Sequence, residues 1–118
     1  MSATREDAAL VVELAKWRSM LGVPEASRAV YADDFDVDAA DPGDPHVSAM
    51  LFFHETLGTL VENGLLDRGL VHDWLWVQGA WERVGPAALR SRERAGVPGL
   101  WANFESLATS QVAAMQPA

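Results

Sequence analysis

Between residues 46 and 65 the hydrophobic positions return every three or four residues. On a wheel turning about 100° per residue, Val47, Met50, Leu51, His54, Gly58, Val61 and Leu65 share one face. Phe53, Leu57 and Leu60 flank that face, and Glu55, Thr59, Glu62 and Asn63 lie opposite. Such a pattern can bury one side only as a helix. No segment of the chain alternates apolar and polar residues with period two, so no sheet is expected. The prediction is an all-α fold: a compact bundle of five to six helices, mostly antiparallel because the connections are short. At 118 residues the whole chain, 1–118, reads as one domain.

Local signals mark the helix ends. Thr4 is the N-cap of a first helix carrying Leu10, Leu14, Trp17 and Leu21, with Asp7 as its capping-box partner and Gly22 as its stop. Pro24 opens a second helix, which carries Ala26, Ala29 and Val30 and ends near Asp33. Residues 34–45 read as an acidic connector, because they hold Pro42, Gly43 and Pro45 and no periodic hydrophobics. Helix three is expected from about His46 to Asn63, with Gly64 closing it. Asp67 caps a fourth helix running to about Val84. Gly85-Pro86 is expected to break the chain there and start a fifth helix, to about Ala95. A last helix covers about 100–114, with Leu100, Phe104, Leu107 and Ala108 on one side.

The connector poses the first chemical question. YADDFDVDAADPGDP (31–45) holds six aspartates, with Asp34, Asp36 and Asp38 spaced as the first ligands of a calcium loop. Position six of that loop needs glycine and position twelve a bidentate glutamate. Ala39 and Pro45 stand there instead. Asx-turns account for the aspartates, and Asp44 with Pro45 suits the start of helix three.

His54 sits where a hydrophobe is expected. It reads first as a core histidine bonded to a carbonyl or carboxylate, and otherwise as a ligand-binding residue of a bundle pocket, with Glu55 beside it. Gly58, one turn on, leaves room for a close helix neighbour or a small ligand. No Glu-x-x-His pair and no second histidine after HETLG (54–58) supports a metal site, so no metal or cofactor is expected.

VHDWLWVQGAW (71–81) is apolar around most of its circumference. Leu70, Trp74, Val77, Trp81 and Val84 form a core stripe. His72, Leu75, Trp76, Gly79 and Arg83 form a second face that needs a cover, from another helix of the chain, from a second protein chain or from a ligand in a pocket. Aromatic and arginine side chains suit an interface, and Phe52, also on the wrong side of its helix, points the same way. The expected interface is therefore Phe52, His72, Leu75, Trp76 and Arg83, with a second copy of the chain or a protein partner. Arg90, Arg92 and Arg94 suit a helix C-terminus, and no phosphate loop or nucleophile elbow accompanies them.

FFHETLGTLVENGLLDRGLVHDWL (52–75), WERVGPAALRSRE (81–93) and LWANFESLA (100–108) together resemble a bacterial family of small all-helical domains of unknown function. The resemblance spans about residues 46–108. It implies an all-helical fold and no particular activity. Glu55, Asp67, Trp81 and Asn103 match the family's pattern, as a helix-face acid, a cap, a core ring and a helix-start amide. Some members of that family carry an added membrane segment.

Charge and composition narrow the function classes. A net charge of −8 repels phosphate backbones, so no nucleic-acid partner is expected. No apolar run approaches the roughly 18 residues of a membrane span. There is no cysteine, which removes disulfides and thiolate chemistry. MSATREDAAL carries acids where a signal peptide is basic and then apolar, so a cytoplasmic location is expected. The expectation is a non-enzymatic helical domain that self-associates, as a dimer, or binds a protein partner. The alternative is a small-molecule or metal-binding bundle with its pocket around His54.

Overall fold

The computed structural model describes residues 2–116. Among them six helices and no strand are present: α1 (Arg5–Met20), α2 (Val23–Tyr31), α3 (Pro45–Glu62), α4 (Arg68–Trp74), α5 (Val77–Ala95) and α6 (Ala102–Met115). The all-α bundle expected from the periodicity is what forms.

The caps follow the local chemistry. Thr4 Oγ1 accepts from the Asp7 amide at 3.1 Å, and Asp7 Oδ2 accepts from the Thr4 amide at 2.8 Å. Asp44 Oδ1 accepts from the amides of His46 and Val47, and Asp67 Oδ2 from that of Leu70. Each removes donors that the first turn of a helix leaves unpaired. Within the connector, Asp36 Oδ1 accepts from the amides of Asp38 and Ala39, and Asp41 Oδ1 from that of Gly43. These are Asx-turns, so the carboxylates shape the loop. The arginine segment meets this loop: Arg94 lies 3.7 Å from Asp41, and Arg90 donates to the Ala40 carbonyl.

α3 is the central element and packs against α2, α5 and α6. Val47, Met50, Leu51, Phe53, His54, Leu57, Gly58 and Val61 are buried along it. Phe53 and Phe104 are the largest fully buried side chains, each contributing roughly 1.5–3 kcal/mol by leaving water. Gly58 allows the closest approach in the core. A methyl group there would press into the backbone carbonyl of Asn103, so α3 and α6 touch main chain to side-chain-free surface.

One helix boundary is elsewhere than the sequence suggests. The chain leaves the helix at Leu75 (φ −130°, ψ 144°) and Trp76 (φ −88°, ψ 79°), and α5 runs unbroken through Gly85 and Pro86. Proline inside a helix removes one hydrogen bond and costs about 3 kcal/mol. Here Val84, Gly85, Ala87 and Ala88 are all buried, and tertiary packing outweighs that cost. The break at 75–76 has a distant cause. Gln111 on α6, only 4% exposed, donates Nε2 to the carbonyls of His72 (3.2 Å) and Leu75 (2.8 Å). Its Oε1 accepts from the Gln78 amide at 2.8 Å. One side chain thus satisfies the end of α4 and the start of α5.

Candidate functional site

The break between α4 and α5 turns Leu75 and Trp76 towards α1–α3, and a cavity of about 230 Å³ opens between them. Arg18 enters it from the last turn of α1. Ser27 and Tyr31 come from α2, one turn apart. Met50 and His54 come from α3, also one turn apart. Leu75, Trp76 and Ala80 complete the wall. Ser27 Oγ contacts Met50 Sδ at 3.6 Å, which fixes α2 against α3 along this edge. The Trp76 ring folds back over Gly79, where any Cβ would collide with it.

His54 is the buried polar group of the cavity, 4% exposed. Its Nδ1 lies 2.7 Å from the Met50 carbonyl one turn back, so Nδ1 carries the hydrogen and donates it. The ring stacks on Phe104 at 4.8 Å and 18°, and meets Phe53 edge-on at 5.3 Å. Burial pushes its pKa down from 6.5 to about 4, opposed by the bond to Met50 and assisted by the Arg18 charge. The imidazole is therefore neutral at physiological pH. Nε2 is left as a bare acceptor. It has no partner among the described residues and is not among the sealed atoms, and His54 is one of the residues that line the cavity.

Arg18 supplies the opposite character. Its Nε is buried and has no hydrogen-bond partner among the described residues, and none of the ion pairs there includes it. The Tyr31 phenol is raised above its ordinary pKa by burial, with the Arg83 and Arg18 cations opposing. It stays a neutral donor and acceptor. No carboxylate lines the cavity, and Ser27 faces Met50 rather than His54. No nucleophile–base hydrogen bond is present among these lining residues. Larger hollows of about 280, 410 and 510 Å³ exist, but Asp36, Asp41 and Asp44 in the first, Gln111 in the second and Thr4, Asp7 and Asp67 in the third are committed to turns and caps. Among the described residues no group of three or more His, Asp or Glu side chains is placed to hold a metal.

The residues singled out from sequence are dispersed. His54 lies in the cavity. Glu55, its neighbour, turns away and accepts the Phe104 amide at 2.9 Å. It thereby caps α6, whose own N-cap, Trp101, is in the left-handed conformation (φ 64°) and offers no side-chain oxygen. Leu75 and Trp76 share the cavity wall, and Trp76 is 59% exposed. Arg83 donates to the carbonyls of Val30 (2.6 Å) and Ala32 (3.2 Å) at the end of α2 and lies over Phe35. His72 Nε2 sits 3.3 Å from Ser110 Oγ, and burial lowers its pKa. Phe52, 58% exposed, packs edge-on against Trp101 at 5.5 Å. Trp101 starts α6, whereas Gln111, beside Trp76, lies roughly 15 Å further along its axis. Phe52 and Trp76 therefore belong to opposite ends of that helix. Sequence reasoning passed over Arg18, Ser27 and Tyr31. The i, i+4 pair of hydroxyls on α2 was the available signal, and it is a weak one.

A family model described as a domain of unknown function (DUF4760) matches residues 1–111. The chain therefore belongs to that family, and the match extends to the N-terminal helices. No curated protein and no solved structure gives a significant match. No described helix is long and apolar enough to cross a membrane.

Proposed function

We propose that this DUF4760 domain is a binding module without chemistry of its own, and that it takes a small molecule into the cavity beside His54. The observation that carries the reading is the state of His54 Nε2. A neutral imidazole, fixed by Met50 and by stacking on Phe104, keeps one acceptor without a partner among the described residues, in a side chain that lines the opening. Polar groups placed so deep are ordinarily paired, and a ligand provides the pairing. Pockets for drug-sized molecules run about 300–1,000 Å³. At about 230 Å³ this one suits something smaller. The cysteine-free composition fits a reducing compartment, and we place the domain in the cytoplasm.

Fragment screening by amide NMR tests this. Shifts clustered at Arg18, Tyr31, His54 and Trp76 are expected; hits confined to other surfaces would contradict it.

A second reading is association with a partner protein or a second copy, favoured by the exposure of Trp76 beside partly buried Leu75. Light scattering after size exclusion tests it. A dimer that Trp76→Ala dissociates supports the reading, and a monomer at all concentrations removes self-association.

A further inference from the structure

We infer that the ligand of this cavity is a small organic compound with one carboxylate that also carries a hydrogen-bond donor such as a hydroxyl or an ammonium group. The inference rests on the cavity being a binding site, and it goes on to name what binds.

The charge preference comes from Arg18. Its guanidinium makes no hydrogen bond or ion pair among the described residues, and its two outer nitrogens, unlike Nε, are not sealed off, so the cation is free to take an acceptor. Guanidinium nitrogens form a planar fork that two carboxylate oxygens match. Arg18 is the one cation among the lining residues, and no Asp or Glu lines the cavity to neutralise it. A single positive charge suits a single negative one. A phosphate dianion would find too few donors here, within a chain of net charge −8.

The second requirement comes from His54. Nδ1 is spent on Met50, so Nε2 can only accept. A ligand satisfying it must bring its own donor. Tyr31 and Ser27 line the same space and can serve either role. Met50, Leu75, Trp76 and Ala80 leave an apolar surface for a short carbon body. The polarity of the site thus has an order, cation at Arg18 and acceptor at His54, which a hydroxy acid or an amino acid of a few carbons reproduces in reverse.

The test is a titration of the full chain with a series of short hydroxy- and aminocarboxylates and, in parallel, with their primary amides. Chemical shifts of the His54 and Trp76 side chains report binding. The acids are expected to bind, and the amides to bind roughly tenfold or more weakly. Arg18→Gln should remove that difference, with helical circular dichroism unchanged because Arg18 lies in the last turn of α1 and makes no hydrogen bond or ion pair among the described residues. Acids lacking the hydroxyl or amine should bind less tightly than their parents. If amides bind as well as acids, or if Arg18→Gln leaves acid binding intact, the carboxylate assignment is wrong while the pocket stands. If neither series moves either side chain, the binding-site reading fails with it.

Discussion

Gln111 Nε2 donates to the Leu75 carbonyl at 2.8 Å, across 36 residues of sequence. That bond, with those to His72 and Gln78, holds open the break between α4 and α5. The break places Leu75 and Trp76 on the cavity rather than on a continuous helix. The site beside His54 therefore depends on a residue that does not line it.

Gln111→Leu keeps the bulk and removes the polar partner of two carbonyls and one amide. Buried groups left without partners cost about 1–3 kcal/mol each, and some of these reach water once released. The expected loss is roughly 2–4 kcal/mol, read from urea unfolding, with Trp emission altered in the folded state as the 75–76 connection rearranges.

Gly58→Ala places a methyl group against the backbone carbonyl of Asn103. Main chain cannot swing aside as a flexible side chain does, so α3 and α6 must separate. Overpacking of this kind costs about 1–3 kcal/mol, although alanine is the better helix former by about 1 kcal/mol. Net destabilisation of up to roughly 2 kcal/mol is expected in equilibrium unfolding.

His54 links stability to pH. Its pKa is about 4 in the folded chain against an ordinary 6.5. Between those values the unfolded chain binds a proton that the folded chain refuses, so stability falls as pH drops through that window. The contribution is intact above about 6.5 and fully lost below about 4, a difference of roughly 3 kcal/mol. Asp7 and Glu62, whose pKa values are held down by hydrogen bonds, add their own losses at the acid end. They are present in a His54→Leu variant too. The variant should show a flatter pH–stability curve between pH 4 and 6.5, measured by denaturant unfolding at each pH.

Glu55→Ala tests the neighbour's separate role. Losing the acceptor for the Phe104 amide should cost about 1 kcal/mol, as the loss of a helix cap does, and should leave the ligand-reporting shifts of His54 in place.

What the sequence reveals and what it conceals divide by distance along the chain. The buried stripe of α3 and the caps at Thr4, Asp44 and Asp67 are legible because a helical period and a capping oxygen act within a turn. The acidic connector is legible for the same reason, since Asp36, Asp41 and Asp44 each bond an amide two or three residues on. The α4–α5 break is not, because VHDWLWVQGAW holds no proline and its cap comes from α6. Gly85-Pro86 misleads in the other direction: a local breaker is overridden by burial on both sides. The bonds of Arg83 to the end of α2 are not legible either, because they span more than fifty residues. The cavity is least legible of all. It is assembled from α1, α2, α3 and the 75–76 connection, and no short window contains two of its polar groups from different helices.

The most direct measurement is a crystal structure of the full chain soaked with a short hydroxycarboxylate. The account predicts the carboxylate against the outer guanidinium nitrogens of Arg18 and the hydroxyl directed at His54 Nε2, with Trp76 closing over the carbon body. Density for water alone between Arg18 and His54, with the acid bound elsewhere or not at all, would contradict it.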